Sequence, residues 1–361
     1  MLLGRRDLLV LAAGLSIACN KSAPSDGKAG SPAPVASQAG PITLNGAGAT
    51  FPYPLYSKWM SEYNKQFPNI RINYQSIGSG GGIRQIIAGT VDFGASDAPM
   101  KEDEAKQATG KLLHIPATIG SVVVSYNVPE VTETLKLSAS TVADIYLGKV
   151  KKWNDAAIAA DNPGAKLPAK EISVVYRTDG SGTTNVYTDY LSAVSPEWKE
   201  KVGVGKSVKW PVGLGAKGNE GVSGQVKTTP YTIGYIERAY ATQNKLPMAE
   251  IKNKAGKFVA PTPASMSAAA EGVEMPAELY VSLVDSAAEA AYPISGYTYL
   301  LVYADAKDGV KGEAIAKFLW WALHDGQKFA ESLDYAPLPP KVVTQVEARL
   351  KELSAGGKKL L

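Results

Sequence analysis

From residue 41 onward, apolar positions follow two alternating rhythms. Ile70, Ile72 and Tyr74 fall on every second residue, the period of a half-buried strand, while Leu55, Trp59, Met60 and Tyr63 are spaced along one helix face. Ile83, Ile86 and Ile87 form a second helical stripe directly after a glycine run ending at Gly82. Apolar runs at Ile119–Tyr126, Ile172–Tyr176, Ile233–Ile236 and Tyr297–Val302 predict further strands. Strands interleaved with helices predict an α/β protein built from βαβ units. In such folds a ligand sits beyond the carboxyl ends of the strands, at loops that open helices. No internal repeat of fixed period is visible.

Four short segments occupy places of that kind. They are Gly46–Pro52 (GAGATFP), Gly78–Gly82 (GSGGG), Gly94–Pro99 (GASDAP) and Arg177–Thr183 (RTDGSGT). Three stand where a helix is predicted to start, so free backbone N–H groups and the positive end of the helix dipole favour an anion there. Thr50, Ser79, Ser181 and Thr183 add hydroxyl donors, and Arg177 adds a planar, permanent cation. The set has the chemistry of an oxyanion cage. Plain helix capping by Ser79 and Ser181 uses the same geometry and is compatible with it. Without further information, Asp97 reads equally well as a turn residue before Pro99, and Arg177 as one half of a surface pair with Asp179.

The N-terminus reads as a targeting segment. Arg5 and Arg6 precede an apolar run, Leu8–Ala18, of about 11 residues, too short to span a bilayer. The arginine pair fits a twin-arginine export signal or an ordinary positive n-region. The run ends at Cys19, the single cysteine of the chain, so no internal disulfide can form. Residues 1–19 therefore read as a signal peptide with a candidate lipobox, although Ser16 stands where Leu is usual and Leu15 lies one place earlier. Residues 20–41, rich in Ser, Ala, Pro, Gly and Lys, read as a flexible tether. A lipid anchor at Cys19, a tether and a globular body describe an envelope protein held just outside a membrane.

The rest of the composition mainly excludes. The chain has 361 residues, enough for two domains with good cores, and 45% are hydrophobic. A net charge of +4 without Lys/Arg clusters interleaved with aromatics argues against a nucleic-acid surface. His114 and His324 lack metal-ligand spacing, so neither metal nor cofactor is expected. Trp153, Trp210, Trp320 and Trp321 are expected in core or interdomain packing, and Lys151–Lys152 and Lys101–Lys106 on solvated surface.

With these segments in view, the chain from about Thr43 to Leu361 resembles the periplasmic phosphate-binding proteins of bacterial high-affinity phosphate ABC transporters. The likeness rests on GAGATFP at Gly46–Pro52, VDFGASDAP at Val91–Pro99, DIYLG at Asp144–Gly148 and DGSGT at Asp179–Thr183. It continues in VKWPVGLG at Val208–Gly215, IGY at Ile233–Tyr235 and LDYA at Leu333–Ala336. It implies a two-lobed periplasmic binding protein fold (type II) with the ligand in the cleft between lobes. Lobe I would hold residues 42–117 and 293–361 and lobe II residues 118–292, with hinge crossovers near Thr118 and Tyr292. It also implies phosphate ligands: Thr50 and Phe51, Ser79 and Asp97 from the first lobe, and Arg177, Ser181, Gly182 and Thr183 from the second. Asp179 would pair with Arg177. Where the family often has a second serine, this chain has Gly80, which still supplies a backbone N–H. The implied partners are a transmembrane permease and its ATPase, served by a monomer.

A carboxylate in an anion site makes sense only if it accepts a hydrogen bond from a protonated ligand oxygen. Phosphate near neutral pH keeps a P–OH and sulfate does not, so Asp97 is expected to exclude sulfate. Arsenate is protonated like phosphate and is expected to bind to some extent. The alternatives are a binding protein for another oxyanion (arsenate, sulfate, molybdate) or a phosphatase using Ser181. Against the enzyme, no His stands near any of the four segments to activate a serine, and Gly180–Gly182 only partly matches a nucleophile elbow.

Overall fold

The computed structural model describes residues 40–361. The signal segment, the lipobox with Cys19 and the tether as far as residue 39 lie outside the described residues. The predicted rhythms become one eight-stranded mixed sheet flanked by helices.

Three strands form a first parallel group: β1 (Ile42–Gly48) lies between β2 (Ile70–Ser76) and β3 (Phe93–Ser96). A second parallel group consists of the strands Thr232–Glu237, Ser173–Arg177 and Leu214–Ala216. Between the groups run β4 (Leu112–Asn127) and the strand Ser295–Tyr303, antiparallel to each other. This antiparallel centre was not part of the βαβ expectation. Its consequence is directional: the Ser295–Tyr303 strand is antiparallel to β3, and the Thr232–Glu237 strand is antiparallel to β4. The two parallel groups therefore point in opposite directions, and their carboxyl ends face one another.

β4 is the long member, with 16 residues where the apolar run predicted Ile119–Tyr126. Its first half pairs with Ser295–Tyr303 and its second half, Val122–Asn127, with Thr232–Glu237. His114 and Pro116 break the apolar text of the first half. Pro116 has no N–H to give the ladder, and the pairing register shifts opposite it, between Thr298 and Tyr299.

Two helices of the first group carry the stripes read from the sequence. α1 (Tyr53–Gln66) buries Leu55, Tyr56, Trp59 and Tyr63, with proline in its first turn, and Trp59 Nε1 donates to the Gly326 carbonyl at 2.8 Å. α2 (Ser79–Ile87) begins after Gly78, whose φ of 90° suits glycine. It then lies directly on the sheet through Gly82, where a Cβ would come within 2.5 Å of Gly48 Cα and 2.6 Å of the Ala47 carbonyl oxygen. Trp153 and Trp321 are in the core, and Trp210 and Trp320 pack against it half-buried. The Lys101–Lys106 stretch is largely exposed, but its Glu104 pairs with Lys206 at 2.7 Å.

Two glycine substitutions separate packing from propensity. Gly82→Ala forces backbone apart and is expected to cost about 1–3 kcal/mol. Gly224→Ala, inside the helix Gly218–Thr228 with nothing within 4 Å of the new methyl, is expected to gain about 0.5–1 kcal/mol. Urea unfolding midpoints measure both.

Candidate functional site

The facing carboxyl ends bring together the four segments that the sequence keeps far apart. Thr50 follows β1, Ser79 opens α2 and Asp97 follows β3. Arg177 ends its strand, and Ser181 is the N-cap of the helix Gly182–Val194, accepting from Thr184 N at 3.0 Å. Thr50, Ser79, Asp97, Arg177, Ser181 and Thr183 are all buried. The Phe51 ring is core, so only its backbone faces outward chemistry, and its carbonyl accepts from Tyr335 Oη at 2.7 Å.

Contacts between the two groups are direct. Gly182 N donates to Ser79 Oγ at 3.0 Å, and Gly80 N donates to the Gly180 carbonyl at 2.8 Å. The Gly80 N–H is therefore spent on a backbone contact. A Cβ at Gly80 would stand 3.3 Å from Gly180 Cα, which gives the serine-to-glycine departure a packing reason. Gly182 is constrained harder, because a methyl there would collide with Ser79 Oγ and Asp97 Oδ2.

Arg177 is the buried cation of the site. Its Nε and Nη2 clamp the two oxygens of Asp179 at 2.8 and 2.5 Å, and Nη1 donates to Thr183 Oγ1 at 3.2 Å. Burial works to raise the Asp179 carboxyl, but the hydrogen bonds and charge of Arg177 outweigh it and hold the group below the usual carboxylate range. Gly218 N adds a bond to Asp179 Oδ1 at 2.9 Å. Asp97 behaves in the opposite way. Burial pushes its carboxyl up to about 7, against the pull of the Thr298 hydroxyl, the Arg177 charge and the Ser79 hydroxyl. Thr298 Oγ1 donates to Oδ1 at 2.8 Å, while Ser79 Oγ reaches Oδ2 only at 3.3 Å. The site thus holds one fixed ion pair, one carboxyl poised near neutrality, and a ring of hydroxyls.

Several residues here escaped the sequence reading. Thr298 reads as an ordinary core strand residue, and the antiparallel ladder to β3, which pairs Tyr299 with Ser96, sets it beside Asp97. Tyr235 Oη accepts from Arg177 N at 3.1 Å and shares a hydrogen with Thr184 at 2.7 Å. Asn219 Nδ2 reaches Thr50 Oγ1 at 2.7 Å and Thr183 Oγ1 at 3.2 Å. Asn219 had a usable signal: Gly218 and Asn219 follow the Leu214–Ala216 strand and open a helix, as the other segments do.

Neither histidine serves the site. His114 Nε2 accepts from Met100 N at 3.0 Å, and burial, with Lys206 nearby, lowers its pKa to about 4. His324 pairs with Glu347 at 2.9 Å. Among the described residues no group of three His, Cys, Asp or Glu could hold a metal.

Residues 29–325 match the PBP superfamily domain. Proteins named phosphate-binding protein PstS are similar along nearly the whole chain. That of Pasteurella multocida (strain Pm70) is 51% identical over 312 residues, covering 86% of this chain and 90% of that protein. That of Xylella fastidiosa (strain 9a5c) is 46% identical, covering 90% of this chain and 88% of that protein. Among solved structures, a phosphate-binding protein from Stenotrophomonas maltophilia superposes with a TM-score of 0.68 at 21% identity, covering 85% of this chain and 93% of that one. This likeness concerns the fold, the two-lobed type II periplasmic binding fold.

The Asp97 carboxyl gives a pH signature. Its folded pKa lies above the unfolded value of 3.8, so the folded state holds the proton more tightly, and stability falls as pH rises from about 4 to about 7. Asp97→Asn removes that loss. The melting temperature of the variant, relative to the parent and without ligand, is expected to rise between pH 5 and pH 8. Glu237, buried and likewise shifted upward, gives the parent a loss of the same sign but is common to both proteins. A difference that stays flat with pH would place the Asp97 pKa near its ordinary value.

Proposed function

The chain belongs to the PBP superfamily, among the PstS phosphate-binding proteins, and from that premise we propose that it captures inorganic phosphate outside the cytoplasm and delivers it to the permease of an ABC importer. The observation that carries this reading is Arg177 and Asp97 buried in one cage of hydroxyl and amide donors. A cation, helix-terminal N–H groups and an acceptor carboxyl together describe a partly protonated oxyanion.

The donors we assign are Thr50 Oγ1 and the amide of Phe51, Ser79, Ser181 Oγ, the amide of Gly182, Thr183 and the Arg177 guanidinium. Asp179 holds the guanidinium flat. Thr184 N already occupies the Ser181 oxygen as an acceptor, which leaves the Ser181 hydrogen for a ligand. The long Ser79–Asp97 bond and the Gly182–Ser79 bond are ones a tetrahedral anion would replace with shorter, charge-assisted bonds.

Asp97 accepts the P–OH. With burial pushing its carboxyl up to about 7, Asp97 is able to accept from a P–OH or to carry the proton itself, so both phosphate anions suit the same cage. Sulfate carries no such proton and sets two negative charges face to face at high pH. At low pH a protonated Asp97 can donate to sulfate instead, so discrimination depends on pH.

We assign the lobes as 42–117 with 293–361, and 118–292, with the crossovers near Thr118 and Tyr292 as the hinge. In support, β4 runs from one strand group into the other, and the bonds between Ser79 and Gly182, Gly80 and Gly180, and Thr50 and Asn219 all join the two parts. The role is capture without bond cleavage, since Ser181 caps a helix and both histidines are engaged elsewhere. Among the described residues no helix is long and apolar enough to cross a membrane. Membrane attachment is assigned to a lipid on Cys19, and the working form to a monomer.

Calorimetric titration of the chain without residues 1–20 tests this directly. One phosphate per chain is expected, undisplaced by a large excess of sulfate at pH 8, with sulfate competition appearing toward pH 5. Another oxyanion bound in place of phosphate would overturn the substrate. Arg177→Ala is expected to weaken binding by about 2–5 kcal/mol, because a ligand charge loses its buried partner. A loss below about 1 kcal/mol would remove Arg177 from the cage.

A further inference from the structure

Asn219 lies outside the groups assigned to the anion, yet it holds two of them. It is fully buried, second in the helix Gly218–Thr228. Its Oδ1 accepts from Glu237 N at 2.9 Å. That backbone N–H can only donate, so the amide orientation is fixed and the NH2 must face the two threonine hydroxyls, at 2.7 Å and 3.2 Å. Its own backbone N also approaches Thr50 Oγ1, at 3.4 Å.

A hydroxyl has one hydrogen to give. Thr50 Oγ1 accepts from Asn219, and Thr183 Oγ1 accepts from both Asn219 and Arg177 Nη1. Neither threonine can aim its hydrogen back at a donor, so both hydrogens are left for another acceptor. We propose that Asn219 is a positioning residue that sets Thr50 and Thr183 as obligate donors toward the bound anion. This rests on the phosphate reading above. The two threonines come from opposite strand groups, so this orientation is complete only when the groups have closed on each other. Asn219 thereby ties donor polarity to closure.

The test is Asn219→Asp, measured by phosphate titration at pH 8.5. The substitution keeps shape and the acceptor for Glu237 N, but it turns the donor into an acceptor that draws both hydroxyls away from the ligand. Phosphate affinity is expected to fall by about a hundredfold, the scale of one or two charge-assisted bonds. Part of any loss would be plain repulsion by the new charge, so the same substitution is made in Thr50→Val and Thr183→Val backgrounds. With one hydroxyl gone, the penalty is expected to shrink at least threefold in each. A penalty equal in all three backgrounds, or none in the parent, would overturn the proposal. Asn219→Leu gives a neutral second reading: it frees the hydroxyls to rotate without reversing them, and is expected to cost about tenfold or less. A loss equal to that of Asn219→Asp would make the role one of packing alone. Ligand-free melting curves show whether each variant is folded. If the parent itself fails to bind phosphate, the function falls before the role of Asn219 is reached.

Discussion

A guanidinium with no water around it must be paired, and the molecule is arranged around that requirement at Arg177. Desolvating the charge costs several kcal/mol, which only well-placed partners can offset. Asp179, two residues along, provides a two-point clamp and is itself steadied by Gly218 N. One face of the cation remains turned toward Thr183 and, by charge, toward Asp97. With Asp97 protonated, the buried charges cancel.

Backbone approach is the second constraint. The two strand groups meet through glycine: Gly80 against Gly180, and Gly182 against Ser79 and Asp97. Side chains at these positions would hold the groups apart and leave a solvated gap, where each charge interaction would be worth far less. Two buried tyrosines brace the loop beside this contact. Tyr240 Oη donates to the Thr50 carbonyl at 2.6 Å and Tyr335 Oη to the Phe51 carbonyl at 2.7 Å, fixing the turn between β1 and α1.

Where the chemistry is local, the sequence already held the elements that the structure brings together. The α1 stripe, the α2 stripe and the apolar strands emerged close to where they were read, because amphipathic periodicity is a property of neighbouring residues. The GSGGG and RTDGSGT segments declared themselves for the same reason: a strand end, a glycine and a hydroxyl at a helix start already define an anion donor. Thr298 did not, because its partner Asp97 lies 201 residues away across the ladder to β3, and Asn219, though it stands at a helix start as they do, takes its role from partners 169 and 36 residues away. The first half of β4 was missed because His114 and Pro116 interrupt an apolar run that pairing with a distant strand sustains.

What the sequence determined by itself was an α/β chain with helix-start donors, one cation and one carboxylate suited to an oxyanion, since residue type and local spacing set those properties. Tertiary structure alone decided that the antiparallel centre would turn the two parallel groups to face each other. It also decided that Asp97 would be buried deeply enough to titrate near neutrality, and that one asparagine would orient hydroxyls from both sides. Burial and hydrogen-bond polarity are properties of what surrounds a group, and here those surroundings come from parts of the chain more than a hundred residues apart.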